Sequence, residues 1–223
     1  MRRILTVCLL VLVCGVARPQ GFEGVALVYC PNNHWLGTGA FVSKRKVLTA
    51  GHIIIDIIEE MTAKPAKITK ERAFPKGGDV LVSPILNKGM RVRGRALYID
   101  PAIDIAVVEL EREIPTVKPF KVSFKIPPVG ITLPTYGGLE EQPIYMKRMV
   151  SGHLLTTWGA TAEVSAKVLM LCMQCPSVGG TSGSPILYEG AIVALLVGSD
   201  RGFSLGTLLS NLTQWGRYFL ERW

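Results

Sequence analysis

Short apolar runs recur along almost the whole chain, and glycine, proline or asparagine residues interrupt them at short intervals. Runs of this kind, rich in valine, isoleucine, leucine and threonine, are typical of β-strands. They predict strands at residues 24–29, 39–43, 46–49, 91–99 and 105–110, and again at 149–158, 163–173, 185–188, 191–197 and 203–208. The pattern therefore predicts an all-β fold built in two halves.

Residues 114–133 separate the two halves and carry prolines at positions 115, 119, 127 and 128. Because proline cannot donate a hydrogen bond to a strand ladder, we expect the connection between two antiparallel six-stranded β-barrels here. The first barrel is expected at about residues 22–115 and the second at about 130–209. Within the second half, the Glu189-Gly190 dipeptide predicts a tight hairpin turn.

The end of the chain carries the only clear helical pattern, at about residues 210–222. Ser210 or Asn211 can cap the start of this helix. Steps of three and four residues align an apolar face made of Leu212, Trp215, Phe219 and Trp223. We expect this face to pack on a barrel.

The composition is that of a packed globular protein, because 48% of the 223 residues are hydrophobic and only 19% are charged. These values exclude a disordered or collagen-like chain, and the length excludes a multidomain machine. The net charge of +8 favours encounters with anionic partners. Much of the excess lies at residues 64–95, which we interpret as a solvated basic region, with an anionic partner surface as the alternative.

The first residues have the parts of a secretory signal: a basic start, an apolar run at 4–13, and the small residues Gly15 and Ala17. We expect residues 1–17 to be removed and the remainder, 18–223, to be secreted or extracytoplasmic. The apolar run is shorter than the roughly 20 residues that a membrane-spanning helix needs, so no stable membrane insertion is expected after cleavage. Lipid attachment at Cys14 is the weaker alternative, because Val13 is a poor match for such sites.

Removal of the signal would leave three cysteines, Cys30, Cys172 and Cys175. An oxidising compartment would allow a disulfide between Cys30 and either of the other two. Cys172 and Cys175 also have the spacing of half a zinc site, but only Cys30 and a histidine could complete it. We expect a disulfide or buried thiols, with no metal and no cofactor.

A serine between glycines is the first chemical signal, in Gly180-Thr181-Ser182-Gly183-Ser184-Pro185. Such a turn exposes the hydroxyl and leaves backbone N–H groups free to face a substrate oxygen. A serine hydroxyl needs a neighbouring base to accept its proton. His52 is the best candidate because it follows an apolar strand and a small-residue turn, whereas His34 and His153 are interpreted as surface or packing residues.

An imidazole that serves as a base needs a carboxylate to hold its other nitrogen. Asp104 is the strongest candidate, since it opens the strand-like segment Asp104-Ile105-Ala106-Val107-Val108-Glu109-Leu110. Asp100, four residues earlier, is the alternative.

Three segments then resemble, in order, the catalytic segments of the chymotrypsin-like (trypsin-like) serine proteases: Leu48-Thr49-Ala50-Gly51-His52, Asp104-Ile105-Ala106-Val107 and Gly180-Thr181-Ser182-Gly183-Ser184-Pro185. The closest motifs are those of HtrA/V8-type bacterial and flavivirus-type viral protease domains. The resemblance implies two six-stranded barrels with His52, Asp104 and Ser182 in the cleft between them. It also implies an oxyanion hole made by the backbone N–H groups of Gly180 and Ser182.

The resemblance further implies a substrate pocket lined by Pro176, Leu196, Val197 and Gly198. No acidic residue stands at the base of this pocket, which favours an apolar or small substrate side chain. Thr181 stands where digestive enzymes carry an aspartate, so activation by a newly cut N-terminus is not expected. We expect a secreted serine endopeptidase that acts on protein or peptide substrates, and the alternative is a non-catalytic peptide- or partner-binding protein on the same fold.

Overall fold

The computed structural model describes residues 21–32, 34–54, 79–137, 144–155, 167–174, 179–200 and 203–221. Most of these residues lie in β-strands, which are followed by one helix, α1 (Gln214–Glu221). The strands are β1 (Val25–Cys30), β2 (Trp35–Phe41), β3 (Lys46–Ala50), β4 (Asp79–Pro84), β5 (Val92–Asp100), β6 (Ile105–Leu110), β7 (Lys121–Val122), β8 (Thr132–Thr135), β9 (Ile144–Leu155), β10 (Lys167–Gln174), β11 (Pro185–Tyr188), β12 (Ala191–Asp200) and β13 (Phe203–Leu208).

The first six strands form a closed antiparallel barrel in the order β1-β2-β3-β6-β5-β4. Strand β3 is buried along its whole length, whereas the first five residues of β5 alternate between buried and exposed. This difference follows from the sequence, because β3 is largely apolar while β5 carries Arg93 and Arg95 on its outer face. Burial of each large apolar side chain of the core stabilises the fold by roughly 1.5–3 kcal/mol. The all-β expectation and the first barrel are confirmed.

The remaining strands form one sheet in the order β11-β8-β9-β10-β13-β12-β7, in which β11 also pairs with β12. The predicted hairpin turn between β11 and β12 is present, since Glu189 has a φ of 52° and Gly190 a φ of 76°. Positive φ at both central residues gives the turn a twist that matches the flanking strands. The second half is thus a sheet of antiparallel strands with the short parallel strand β7 at one edge.

Some strand bounds differ from the sequence prediction. Strand β2 begins at Trp35 rather than at residue 39, because Gly37 and Gly39 interrupt the apolar pattern without interrupting the ladder. Strands β4 and β8 were not predicted, and β8 lies partly within the proline-rich connection. Between β6 and β8 the chain forms only the two-residue strand β7, in agreement with a connection in this region.

Part of the predicted face packs on the first barrel, because the core includes Leu212 and contacts Phe219 of helix α1. Thr213 caps it, accepting a hydrogen bond from the Gly216 N–H at 3.3 Å, so neither Ser210 nor Asn211 is the cap. Gly216 is buried and Phe219 half-buried, whereas the Trp215 side chain is 64% exposed. The prediction for Trp215 was wrong, because the helix begins later than expected and turns this residue outward; Trp223 lies outside the described residues.

Of the two outcomes expected for Cys30, a disulfide or a buried thiol, the structure has the buried thiol. The Cys30 thiol is free and fully buried at the end of β1, within reach of the Ile54 carbonyl oxygen at 3.6 Å. Cys30 lies inside the first barrel, whereas the backbone of Cys172 belongs to the second sheet. Cys175 lies outside the described residues. Among the helices that the structure describes, none is long and apolar enough to cross a membrane.

Candidate active site

His52 lies where the buried strand β3 ends. After Ala50 the chain turns through a short 3-10 helix at Gly51–Ile53, which aims the imidazole away from the barrel core. The flanking residues Gly51 and Ile53 are buried, while the His52 side chain is 19% exposed. The local fold thus anchors the backbone on both sides and leaves the ring at the surface of the barrel.

Asp104 holds both the backbone and the ring of His52. One carboxylate oxygen, Oδ1, accepts the His52 backbone N–H at 2.8 Å, and the other, Oδ2, lies 2.7 Å from His52 Nδ1. The Asp104 carbonyl oxygen accepts the Gly51 N–H at 3.2 Å. Because an ionised carboxylate can only accept, Nδ1 carries the proton and Nε2 is left with a lone pair. This arrangement prepares His52 to accept a proton at Nε2.

The two carboxylates considered from the sequence have different surroundings. Asp104 adjoins His52, whereas Asp100 is 1% exposed and accepts the Tyr98 hydroxyl at 2.8 Å. Of the other histidines, His34 is exposed, and its Nδ1 lies 3.1 Å from the Tyr29 hydroxyl. His153 belongs to β9, and its side chain lies outside the described part of the chain.

Ser182 lies in a tight turn that precedes β11. Gly180 and Gly183 adopt positive φ angles of 87° and 84°. The Gly183 N–H donates to the Leu196 carbonyl oxygen at 2.6 Å, and the Ser184 hydroxyl donates to the Thr181 carbonyl oxygen at 2.6 Å. A Cβ atom at Gly183 would overlap the Thr38 carbonyl oxygen, so only glycine fits this position.

Thr38 of β2 joins the first barrel to this turn through two polar groups, and a third bonds within the barrel. Its N–H donates to the Ser182 carbonyl oxygen at 2.7 Å, and its hydroxyl donates to the Gly180 carbonyl oxygen at 2.9 Å. Its own carbonyl oxygen accepts the Thr49 hydroxyl at 2.7 Å. Thr38 is fully buried, so these bonds form away from competing water. They hold the Ser182 turn against the barrel that carries His52 and Asp104.

The expected oxyanion donors are the backbone N–H groups of Gly180 and Ser182. Within the described residues, neither the Gly180 N–H nor the Ser182 N–H donates a hydrogen bond to another protein group. Both N–H groups belong to the turn whose carbonyl groups accept hydrogen bonds from Thr38. These bonds hold the backbone of the turn in place, and the backbone fixes the direction of both N–H groups. Such preorganised N–H groups stabilise an oxygen on which negative charge develops.

The residues expected to line the pocket lie along β12, next to the Ser182 turn. The Leu196 N–H donates to the Ser184 carbonyl oxygen at 2.9 Å, which pairs this strand with the turn. The side chains of Leu196 and Val197 are buried, and Gly198 is half-buried beside an irregularity in the β12–β13 pairing. Leu196 packs into the core of the second sheet. Pro176 lies outside the described residues.

Sequence reasoning missed two neighbours of the site, Trp35 and Thr38. The Trp35 ring meets the His52 ring edge to face, with 5.5 Å between centroids, and its side chain is half exposed. The only available signal was the segment Trp35-Leu36-Gly37-Thr38-Gly39, in which two glycines flank a threonine. A close approach explains the first glycine, since a Cβ at Gly37 would overlap the Ile53 side chain and would lie 3.0 Å from the Ser182 carbonyl oxygen.

A family model described as trypsin-like peptidase domain matches residues 37–195. Among solved structures, the inactive form of the Rv3671c protease from M. tuberculosis is similar with a TM-score of 0.60 and 14% identity, over 84% of this chain and 84% of that one. A human pathogenic astrovirus serine protease is similar with a TM-score of 0.57 and 15% identity, over 87% and 93%. No curated protein sequence matches the chain. At these identities the likeness to solved structures shows the fold.

Proposed function

Because the chain belongs to the trypsin-like peptidases, a family of serine proteases, we propose that it is a secreted serine endopeptidase with Ser182, His52 and Asp104 as its triad. The observation that carries the proposal is the pair of contacts from Asp104 to His52, at 2.8 Å to the backbone N–H and 2.7 Å to Nδ1. These contacts favour the tautomer that a general base requires. The hold of Thr38 on the Ser182 turn supports the third member of the triad.

The proposed reaction begins when the Ser182 hydroxyl attacks a peptide carbonyl carbon. His52 takes the hydroxyl proton at Nε2, and Asp104 stabilises the imidazolium that forms. The N–H groups of Gly180 and Ser182 donate to the oxyanion of the tetrahedral intermediate. His52 then gives its proton to the leaving amine as the peptide bond breaks, and an acyl-enzyme remains on Ser182.

Water completes the cycle. His52 accepts a proton from water at Nε2 while the water oxygen attacks the acyl carbon, and the proton then returns to the Ser182 oxygen as the ester breaks. No metal or cofactor takes part in this scheme. The substrate is a protein or peptide, and we propose that the residue before the cut is apolar or small, because Leu196, Val197 and Gly198 on β12 bring no charge to this side of the turn.

The decisive experiment compares the mature protein, residues 18–223, with Ser182→Ala on a peptide library. Wild type is expected to cleave peptides and Ser182→Ala to lose cleavage while keeping its circular dichroism spectrum and melting temperature. Cleavage retained by Ser182→Ala would refute the assignment. A folded wild type that neither cleaves peptides nor reacts with a fluorophosphonate would favour a non-catalytic peptide- or partner-binding protein.

Secretion is part of the proposal and has its own test. The basic start, the apolar run at 4–13 and the small residues up to Ala17 support a cleaved signal. N-terminal sequencing of protein recovered from the medium of an expressing host is expected to begin at Arg18. Protein that stays in the cells with an uncleaved N-terminus would contradict it.

We also propose an anionic partner for the basic region at 64–95, of which residues 64–78 lie outside the described part. The described part carries three exposed arginines at alternate positions along or beside β5, namely Arg91, Arg93 and Arg95. This spacing supports a cationic strip. Retention on heparin is expected to fall steeply with salt and with the triple change of these arginines to glutamine. Equal retention of wild type and the triple variant would refute the strip.

A further inference from the structure

Asp100, the carboxylate not used in the proposed reaction, is the buried end of a chain of hydrogen bonds that begins at the exposed Thr213. The Tyr98 hydroxyl lies 2.8 Å from Asp100 Oδ2 and 2.9 Å from Thr213 Oγ1, and Thr213 Oγ1 lies 3.3 Å from the Gly216 N–H. The Tyr98 hydroxyl donates its one proton to Asp100, so Thr213 donates to Tyr98. Each hydroxyl then donates once, and the chain runs in one direction from α1 to Asp100.

The helix at the start of this chain is fixed to the first barrel at both ends. At its N-terminus, Thr213 both caps the helix and contacts Tyr98 of β5. At its C-terminal end, the buried Lys46 of β3 donates from Nζ to the Phe219 carbonyl oxygen at 2.7 Å. The Phe219 ring stacks on the Tyr98 ring, with 6.1 Å between centroids. Helix α1 is therefore fixed to β5 by one polar contact and one aromatic contact, and Tyr98 makes both of them.

The other end of the chain is the loop that carries Asp104. Asp100 Oδ1 accepts the Ala102 N–H at 3.1 Å, and the carboxylate also accepts the Ile103 N–H. The loop between β5 and β6 must hold Asp104 at a φ of 56°, a region that aspartate adopts only when its surroundings favour it. The Asp100 carboxylate, at the end of β5 and four residues before Asp104, supplies that support by accepting the N–H groups of Ala102 and Ile103.

The burial of Asp100 makes the hydrogen bonds of this chain costly to lose. Its side chain is 1% exposed, and within the described part of the chain no lysine or arginine forms an ion pair with it. Burial raises the pKa of Asp100 above its ordinary value, while the donors Tyr98, Ala102 and Ile103 oppose that shift. Burial and the neighbouring Asp100 charge likewise raise the pKa of Tyr98. A carboxyl group in such a place depends on its hydrogen-bond donors.

We propose that Asp100, Tyr98 and Thr213 form a positioning relay through which the start of helix α1 sets the orientation of the triad carboxylate Asp104. The inference rests on the proposed protease function, since it names what holds Asp104 in place. None of the three touches His52 or a reacting atom, so each is a positioning residue. The geometry makes the C-terminal helix part of the catalytic apparatus of the first barrel.

The test measures kcat and KM of Asp100→Asn, Tyr98→Phe and Thr213→Val with a peptide that wild type cleaves. Each variant is expected to lower kcat by between about tenfold and about a hundredfold with KM nearly unchanged, because a displaced Asp104 misaligns His52. Thr213→Ser keeps the hydroxyl and is expected to retain wild-type kcat. Tyr136→Phe is the matched control, a buried tyrosine outside the relay whose change is expected to leave kcat unaltered.

Two further readouts separate positioning from loss of stability. The double variant Tyr98→Phe/Thr213→Val is expected to lose no more kcat than the worse single variant, since both changes cut one chain. The proton NMR resonance of His52 Nδ1–H, which reports the bond to Asp104, is expected to shift in Asp100→Asn and to stay in place in Tyr136→Phe. All kcat values are taken per folded active site by burst titration.

Several outcomes would overturn the relay. It is wrong if Asp100→Asn and Thr213→Val keep both wild-type kcat and the wild-type Nδ1–H resonance, or if Thr213→Ser loses as much as Thr213→Val. Should Asp100→Asn not fold, the exposed Thr213 pair decides alone. Failure of the protease proposal itself would look different, because wild type would then neither cleave peptide nor show a burst.

Discussion

The hydroxyl of Thr38 offers a sharp test of how the two halves of the protein cooperate. Thr38→Val removes the donor to the Gly180 carbonyl oxygen at 2.9 Å and changes little in shape. The Thr38 N–H bond to the Ser182 carbonyl oxygen is a backbone bond and remains possible. The substitution therefore loosens one anchor of the Ser182 turn and leaves the other.

The size of the expected effect of Thr38→Val follows from the free energy that one hydrogen bond contributes. Its net contribution to stability is about 1 kcal/mol, so the melting temperature is expected to fall by about 2–4 °C in a domain of this size. If the same free energy is lost from the aligned turn, kcat falls by about fivefold. KM is expected to change little, because Thr38 is buried behind the turn and does not face substrate.

Thr135→Val is the matched control for Thr38→Val. Thr135 is also buried, and its hydroxyl donates to the Pro185 carbonyl oxygen at 3.0 Å, within the second sheet alone. Both variants are expected to lose similar stability by thermal unfolding, but only Thr38→Val is expected to lose kcat. The prediction is refuted if Thr38→Val loses as much stability as Thr135→Val but keeps wild-type kcat. It is also refuted if both variants lose kcat equally.

Three further predictions follow from single contacts. Gly183→Ala is expected to abolish activity and lower the melting temperature, because its φ of 84° and the nearby Thr38 carbonyl oxygen leave no room for a Cβ; an active, stable variant would contradict this. Iodoacetamide is expected to alkylate Cys30 only after the protein is unfolded, and no reductant should be needed, because the thiol is free and buried. A disulfide-linked Cys30 peptide in mass spectra would disprove this prediction. Burial raises the pKa of Asp100 above 3.8, so the folded state keeps a proton that the unfolded state releases. The stability of wild type relative to Asp100→Asn is therefore expected to fall as the pH rises from about the pKa of Asp100 in the unfolded state through its pKa in the folded state. Urea unfolding in which the difference in stability between the two proteins stays constant with pH would refute this prediction.

The parts of the site that lie in short, continuous segments could be read from the sequence. His52 follows a strand that is buried throughout, and Ser182 lies in a turn that places Gly180 and Gly183 at positive φ. Asp104 could be preferred over Asp100 only by motif, and the surroundings of the two carboxylates differ because one side of the β5–β6 loop faces His52 and the other faces Tyr98.

The contacts between distant segments could not be read in this way. Thr38 and Gly180 lie 142 positions apart, and Tyr98 and Thr213 lie 115 apart, so no local pattern connects them. Periodicity also cannot decide where a helix begins, and a start at Gln214 was enough to turn Trp215 to the solvent. Three-dimensional packing decides such features, whereas propensity and spacing decide the strands and the turns.

The proposed protease activity depends most on Ser182 as a nucleophile that His52 activates. Treatment of the folded, mature protein with a fluorophosphonate, followed by peptide mapping, measures this directly. We predict a single adduct on Ser182 that disappears in Ser182→Ala and is strongly reduced in His52→Ala. An adduct on another residue, or peptide cleavage by a protein whose Ser182 stays unmodified, would contradict the central claim.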